Sequence, residues 1–317
     1  MSTTVRAAVL GVGHLGKHHA RILSGMEGVT LVGVVDPDAA RGAEIAAAHD
    51  TRAFTDAAQL PPVDVVVVAV PTEAHASVAA PFLSRGVSAL IEKPLTRTIE
   101  EADELIALAA RSGAVLAVGH SERFNPAVIA ALPHVVSPGF VEVHRLGSFP
   151  ARSLDIDVVF DLMIHDLDVL LAAVKSDVTH IDAVGVPVLT SRIDIANARL
   201  TFASGCIANL TASRISRDRI RKIRFFQPRG YLSIDFATQE AEHYQLKAGE
   251  GGVQIEGGKL AVETDEPLKL ELADFIDAVR TRRAPRVSGL DGRRALELAH
   301  RITTLMAQGL LARGGTA

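Results

Sequence analysis

Residues 5–23 read VRAAVLGVGHLGKHHARIL. A short apolar, β-branched run, Val5–Leu10, passes directly into Gly11-Val12-Gly13-His14-Leu15-Gly16, and His14 to Ser24 then reads as a helix. A G-x-G-x-x-G by itself is weak, because glycines also mark ordinary turns. Between a strand and a helix each glycine has a separate reason. Gly11 permits the tight turn, Gly13 lets the backbone approach a pyrophosphate, and Gly16 lets helix and strand pack closely. The helix N-terminus then presents unpaired N–H groups to the anion, with His14 and Leu15 in the same turn. Asp36 ends the next strand-like run, 20 residues beyond Gly16. A carboxylate there suits the ribose hydroxyls of a dinucleotide and would repel a 2′-phosphate, so NAD is expected over NADP. Arg41, close by, would suit a 2′-phosphate and keeps NADP as the alternative. The bland alternative is a structural glycine turn followed by a turn aspartate before Pro37.

Working outward, strand and helix alternate. Thr30–Val35 reads as a strand, Ala39–His49 as an alanine-rich helix, and Asp64–Val70 (DVVVVAV) as a strand apolar on both faces. That two-sided apolarity fits a central parallel strand covered by helices. Glu73–Arg85 is expected as a helix, Val87–Glu92 as a strand, Ile99–Arg111 as a helix and Ala114–Val118 as a strand. The pattern predicts a doubly wound parallel sheet of the Rossmann kind. It changes after Gly119. Pro126, Pro133 and Pro138 punctuate a transition, and Val158–Val174 is expected as one amphipathic helix. From Thr179 to about Val262 strand-like runs follow one another with short turns, which predicts a large, mainly antiparallel open sheet. Two helices, Leu268–Arg283 and Gly292–Gln308, close the chain. The expected architecture is α/β: a dinucleotide-binding domain over residues 1–121 and a substrate-binding and oligomerisation α+β domain over residues 122–317.

Bulk properties agree with an enzyme-sized protein. The 317 residues are 48% hydrophobic, enough for two cores. The net charge of −4 and an aromatic content of 4% speak against a nucleic-acid or membrane-surface role. A single cysteine, Cys206, excludes an internal disulfide and suits a reducing compartment. The N-terminal apolar run is too short for a signal peptide, and Val65–Val70 is too short to span a bilayer. A cytoplasmic location is therefore expected.

Several motifs converge. GVGHLGKHHARIL at the start, VAVPTEAHASVA at residues 68–79, IEKPLTRTIEEADEL at residues 91–105 and FDLMIHDLDVL at residues 160–170 resemble the Gfo/Idh/MocA oxidoreductase family. The likeness runs over essentially the whole chain in motif order, and Glu92-Lys93-Pro94 is its most specific piece. It implies a Rossmann domain followed by an open mixed sheet, NAD or NADP as cofactor, a sugar or cyclitol hydroxyl as substrate, and a dimer or tetramer. A narrower likeness, in GHSERFNPAV at residues 119–128, DLMIHDLD at residues 161–168 and ANLTASRISRDRIRKIRFFQPRGYLSID at residues 208–235, is to the UDP-N-acetylglucosamine 3-dehydrogenase branch. That implies oxidation at C3 of a nucleotide sugar. The alternatives are a dehydrogenase of a free cyclitol or monosaccharide and a non-catalytic NAD-binding regulator.

Lys93 stands at the C-terminal end of a predicted strand, where open α/β sheets bind ligands. A lysine there can bind a reacting hydroxyl and lower its pKa, or act as base if desolvated. The resemblance makes it the catalytic lysine; the alternative is a solvated loop residue. Asp161 and His165 lie four apart, on one face of a helix, with Asp168 a turn further on. A carboxylate near an imidazole can orient it, and loss of a hydride from a secondary alcohol needs a base for the hydroxyl proton. By resemblance His165 is that base or shares the role with Lys93, and Asp161 orients the substrate or tunes Lys93. The alternative is a helix cap and a core histidine. Three ligands stacked along one helix diverge, and hydride transfer needs no metal, so no metal site is expected.

The resemblance also sets Pro71, Thr72 and His75 along the nicotinamide ribose and Glu92 beside the cofactor. His75 is equally well explained as a helix-start residue, and His18 and His19 as packing. Arg123 and Asn125 follow the domain crossover and are expected to face the cleft, binding substrate, or else to cap and turn before Pro126. Seven basic residues, Arg214, Arg217, Arg219, Arg221, Lys222, Arg224 and Arg229, are either a solvated strand face or, for two or three of them, contacts to a pyrophosphate.

Overall fold

The computed structural model describes residues 4–149, 156–249 and 252–312. It divides into two compact units, Met1–Ser121 with Leu268–Leu296, and Glu122–Pro267 with Glu297–Ala317.

Among the described residues the first unit holds a six-stranded parallel sheet in the order β3-β2-β1-β4-β5-β6. The strands are β1 Val5–Leu10, β2 Val29–Val35, β3 Ala53–Phe54, β4 Val65–Val68, β5 Ser88–Glu92 and β6 Leu116–Gly119. All four valines of β4 are fully buried, as a central strand covered on both faces requires. Helices α1 Gly16–Ser24, α2 Ala39–Ala48, α3 His75–Leu83 and α4 Ile99–Ser112 alternate with the strands. The expected helix over residues 73–85 is split: a 3₁₀ turn, Thr72–Ala74, precedes α3. Helix α4 is bounded by a capping box of Thr98 and Glu101 and ends at Gly113 in the left-handed conformation.

One expectation is corrected. Residues 268–296 belong with the first unit, because Leu272, Phe275 and Ile276 of α7 (Pro267–Thr281) pack against Val5, Ala7, Leu23 and Val34. Apolar periodicity announces this helix but does not say which core it completes.

The second unit is built on an eight-stranded sheet in the order β14-β13-β12-β11-β7-β10-β9-β8. Its strands are β7 Phe140–Leu146, β8 Val178–Val186, β9 Ile195–Phe202, β10 Ile207–Ser213, β11 Ile220–Gln227, β12 Gly230–Asp235, β13 Glu240–Gly249 and β14 Gly252–Lys259. Neighbours are antiparallel except β7 and β10, which run parallel. Strand β7 was not expected; its inward residues Val141 and Val143 alternate with Glu142 and His144, but it lies apart from the meander in sequence. The helix expected over residues 158–174 is divided into a π-helical segment, Val159–Met163, and α6, Ile164–Val174. A short helix, α5 Pro126–Ala131, and the long α8, Gly289–Ala312, complete the described α-helices, and the division between the units falls inside α8. Among the described residues no helix is long and apolar enough to cross a membrane.

Candidate active site

In the first unit the three glycines of the turn after β1 show three different constraints. Gly11 has φ +84°, and a Cβ there would stand 2.7 Å from the Ala69 carbonyl oxygen. A Cβ on Gly16 would overlap the Gly11 carbonyl oxygen, so only glycine lets α1 start against β1. A Cβ on Gly13 would meet nothing within 4 Å. Its backbone therefore borders open space, which is where the pyrophosphate of a dinucleotide needs the chain to be bare. His14 and Leu15 are exposed at the same turn, and His14 stacks edge-on with His18 at 6.2 Å.

Asp36 closes β2 and is 2% exposed. One oxygen accepts the Val12 N–H at 2.9 Å and Arg41 Nε at 3.0 Å; the other accepts the Asp38 N–H at 3.0 Å and an Arg41 terminal nitrogen at 2.6 Å. Burial pushes its pKa up, but Arg41 and the two backbone donors outweigh burial and hold the carboxyl below its ordinary value. The hydrogen bond to Val12 ties Asp36 to the glycine turn. Arg41, the sequence candidate for a 2′-phosphate, lies across the carboxylate instead.

The second feature of this unit is the loop after β5. Lys93 is half-buried, and the Lys93–Pro94 peptide is cis. Glu92 is buried; one oxygen stands 2.7 Å from His19 Nε2 and the other accepts the Lys93 amide N–H at 3.2 Å. Both oxygens of its carboxylate are thus engaged within the unit, one by His19 and one by the backbone of Lys93. His75 is also internal. Its Nδ1 stands 3.0 Å from the Pro94 carbonyl oxygen and its Nε2 3.0 Å from that of Val70. It links the loop after β4, with exposed Pro71 and half-buried Thr72, to the lysine loop. Sequence patterning assigned His19 to packing alone; its partner lies 73 residues away and no local signal announces it.

In the second unit Asp161 falls in the π-helical segment and His165 in the first turn of α6, both half-buried. π-Helical turns recur at functional sites, where the extra residue re-aims side chains. Asp168 is 1% exposed and accepts from Arg123 at 3.3 Å, so both sink into the interior of the unit. Asn125 caps α5 by accepting the Ala127 N–H and donates to the Phe236 carbonyl at 3.0 Å. Asn125 thus caps α5 as one of its two sequence readings expects, and Arg123 pairs with Asp168 inside the same unit.

A network that sequence patterning missed lies beside them. Arg145, inward-facing on β7, binds both Asp166 oxygens at 2.7 and 2.8 Å and Glu122 at 2.9 Å, and stacks over Phe236 at 5.2 Å. It clamps the residue that follows His165. An acidic residue on the apolar side of the DLMIHDLD helix was the available signal.

The basic run is dispersed. Arg214 is 1% exposed and locked to Asp194 at 2.8 Å, while Lys222 pairs with Asp235 and Arg224 with Glu142. Arg217, Arg219, Arg221 and Arg229 are exposed.

Comparison with known proteins adds to this geometry. Residues 5–120 match the family profile described as an oxidoreductase family with an NAD-binding Rossmann fold. The chain is 40% identical over 301 residues to UDP-N-acetylglucosamine 3-dehydrogenase of Acidithiobacillus ferrooxidans, covering 93% of this chain and 95% of that one. It is 26% identical over 332 residues to scyllo-inositol 2-dehydrogenase (NAD(+)) of Bacillus subtilis, covering 98% and 96%. A solved structure of the Acidithiobacillus enzyme matches with a TM-score of 0.88 at 38% identity, over 95% of this chain and 97% of that one.

Proposed function

The chain belongs to the Gfo/Idh/MocA oxidoreductase family, and from that premise we propose that it oxidises the C3 hydroxyl of UDP-N-acetylglucosamine, or of a closely related nucleotide sugar, with NAD. The observation that carries the substrate is the 40% identity, over 93% of the chain, to an enzyme named for that reaction. The first unit fits NAD: Gly13 leaves bare backbone at the turn, and Asp36 is an ionised carboxylate where the adenosine ribose would lie. Bound NAD supplies the hydride acceptor. The protein's own task is the hydroxyl proton, since a ketone forms only if that proton leaves as the C–H bond breaks. We assign Lys93 to hold the reacting hydroxyl and lower its pKa, His165 to take its proton, and Asp161 to orient the sugar.

The similarity to an inositol dehydrogenase keeps a free cyclitol as the second reading. With Arg214, Lys222 and Arg224 already paired within the unit, the candidates for a pyrophosphate narrow to Arg217, Arg219, Arg221 and Arg229. A screen for NADH formation separates the two. Turnover of UDP-N-acetylglucosamine well above that of free N-acetylglucosamine and myo-inositol is expected; equal or better turnover of either uncharged compound sinks the nucleotide-sugar assignment.

The larger sheet also supports self-association. On β11 Ile223 and Phe225 are buried, whereas Lys222, Arg224 and Phe226 point to the other face. On that face Phe140, Phe226, Tyr231 and Tyr244 form a row with ring separations of 5.7, 5.3 and 6.4 Å. We read it as the face that joins copies into a dimer or tetramer. A reducing, cytoplasmic setting suits the lone buried Cys206.

A further inference from the structure

Buried histidines contact the residues on either side of Lys93, His19 at Glu92 and His75 at Pro94. His19, on the inner side of α1, has no exposed surface, and its Nε2 stands 2.7 Å from one oxygen of Glu92. The other Glu92 oxygen accepts the Lys93 amide N–H at 3.2 Å. The slot is cut closely to the carboxylate: Gly119 pairs with Glu92 across β5 and β6, and a Cβ on it would stand 3.0 Å from that second oxygen. On the other side of Lys93, His75 is 1% exposed and spans from the Pro94 carbonyl to the Val70 carbonyl, each at 3.0 Å. Whichever ring nitrogen carries the proton donates to the carbonyl it faces.

These contacts call for a reason beyond packing. A buried carboxylate bound to a ring nitrogen seldom improves on apolar side chains of the same volume, because desolvation offsets the attraction. Burial would raise the Glu92 pKa, but the hydrogen bond and charge of His19, and the nearby Lys93, outweigh it and hold the carboxyl below its ordinary value. The loop therefore carries a stable anion beside its lysine. The two histidines also come from informative places. His19 lies one turn into the helix that begins at Gly16 of the dinucleotide turn, and His75 is the first residue of α3, directly after the loop that holds Pro71 and Thr72.

We propose that His19 and His75 are positioning residues for Lys93: with Glu92 they brace residues 92–94 and tie the lysine loop to the two elements that follow β1 and β4. The brace rests on the role assigned to Lys93 above, and neither histidine touches the reacting atoms in it.

The test uses the full chain as wild type, His19→Leu, His19→Gln and His75→Leu. Three quantities are read: kcat and KM with NAD and UDP-N-acetylglucosamine, NADH affinity by fluorescence titration, and the rate at which a small acylating reagent labels Lys93, followed by peptide mass spectrometry. A displaced positioning group is expected to lower kcat by about 10- to 100-fold in the leucine variants, with NADH affinity unchanged. Lys93 should be labelled faster once its loop is loosened. Glutamine at position 19 keeps an N–H toward Glu92 and should recover both quantities. Wild-type kcat in folded leucine variants, or a lowered kcat with Lys93 labelled at the wild-type rate, overturns the brace. If His19→Leu fails to fold, Glu92→Gln, which keeps the shape and drops the charge, takes its place with the same expected directions. Absence of NADH formation by the wild type would overturn the proposed function instead, and the labelling rates would still decide the brace.

Discussion

The Asp36 carboxylate accepts four hydrogen bonds within the protein, two from backbone N–H groups and two from Arg41. That fills the roughly four acceptor positions a carboxylate offers. A ribose diol must therefore displace Arg41, whose side chain is 44% exposed. Two opposite outcomes follow. Asp36→Ala should weaken NADH binding by about 10- to 100-fold, the value of one lost charge-assisted hydrogen bond. Arg41→Ala removes a solvent-exposed competitor for the carboxylate and should strengthen NADH binding by no more than about fivefold. Isothermal calorimetry reads both; tighter NADPH than NADH binding by the wild type would contradict the role given to Asp36. For the chemistry, Lys93→Ala and His165→Ala should each lower turnover by about 10²–10⁴-fold, the range for a lost acid–base group, with NADH affinity nearly intact. Unaltered turnover in both removes their assigned roles. Asp36 and Lys93 were legible in the sequence because their cues are local, a fixed spacing from a glycine turn and a position at a strand end. The bracing roles of His19, His75 and Arg145 were not, because each depends on a partner 73, 19 or 21 residues away. The intra-unit bonds of Arg123, Asn125 and Glu92 were not legible either, since Arg123 pairs with Asp168, Asn125 with Phe236 and Glu92 with His19 across 45, 111 and 73 residues.

Among the elements, the loop that joins β8 to β9 shows how a buried ion pair can be structural. Asp194 is fully buried and accepts N–H groups from Val188, Leu189 and Thr190 at 2.7–2.9 Å, together with Arg214 Nε at 2.8 Å. Burial would raise its pKa, but these four donors outweigh burial and hold the carboxyl far below the ordinary carboxylate range. A carboxyl with a depressed folded-state pKa contributes stability above its unfolded value of about 3.9, and the contribution is lost as pH falls through that value toward the folded one. Asp194→Asn should accordingly lower Tm at neutral pH and flatten the acid side of the Tm–pH curve. Arg214→Leu, which leaves the carboxylate buried without its guanidinium, should cost about 3–5 kcal/mol in denaturant unfolding; a loss under about 1 kcal/mol would show that the pair is peripheral. The same residues mark the limit of patterning at this scale. Strand alternation announces the sheet, yet a run of basic residues looks like one surface when Arg214 is an internal strut and Arg224 a cross-strand partner of Glu142. The π-helical segment at Asp161 was invisible too, since one added residue in a turn leaves the apolar spacing almost unchanged.

At the scale of the molecule, the order of elements was legible and their grouping was less so. Strand–helix alternation announced the first sheet and the run of strands the second, but nothing local returned residues 268–296 to the first unit, where Phe275 and Ile276 complete its core. The exposed face of the eight-stranded sheet is the feature that bears on assembly. If it joins copies, Phe226→Glu should shift the chain toward the monomer in light scattering while leaving secondary structure intact; a wild type that is monomeric at micromolar concentration would remove that reading. The central claim is hydride transfer from C3 of a nucleotide sugar to NAD, and isotopic labelling tests it most directly. UDP-N-acetylglucosamine carrying deuterium at C3 is incubated with the enzyme and NAD, and the reduced cofactor is examined by mass spectrometry. The structure and its relationships predict reduced cofactor carrying the deuterium. Unlabelled NADH would show that another carbon is oxidised, and no reduced cofactor at all, with a ketone-trapping reagent present to draw the reaction forward, would contradict the claim outright.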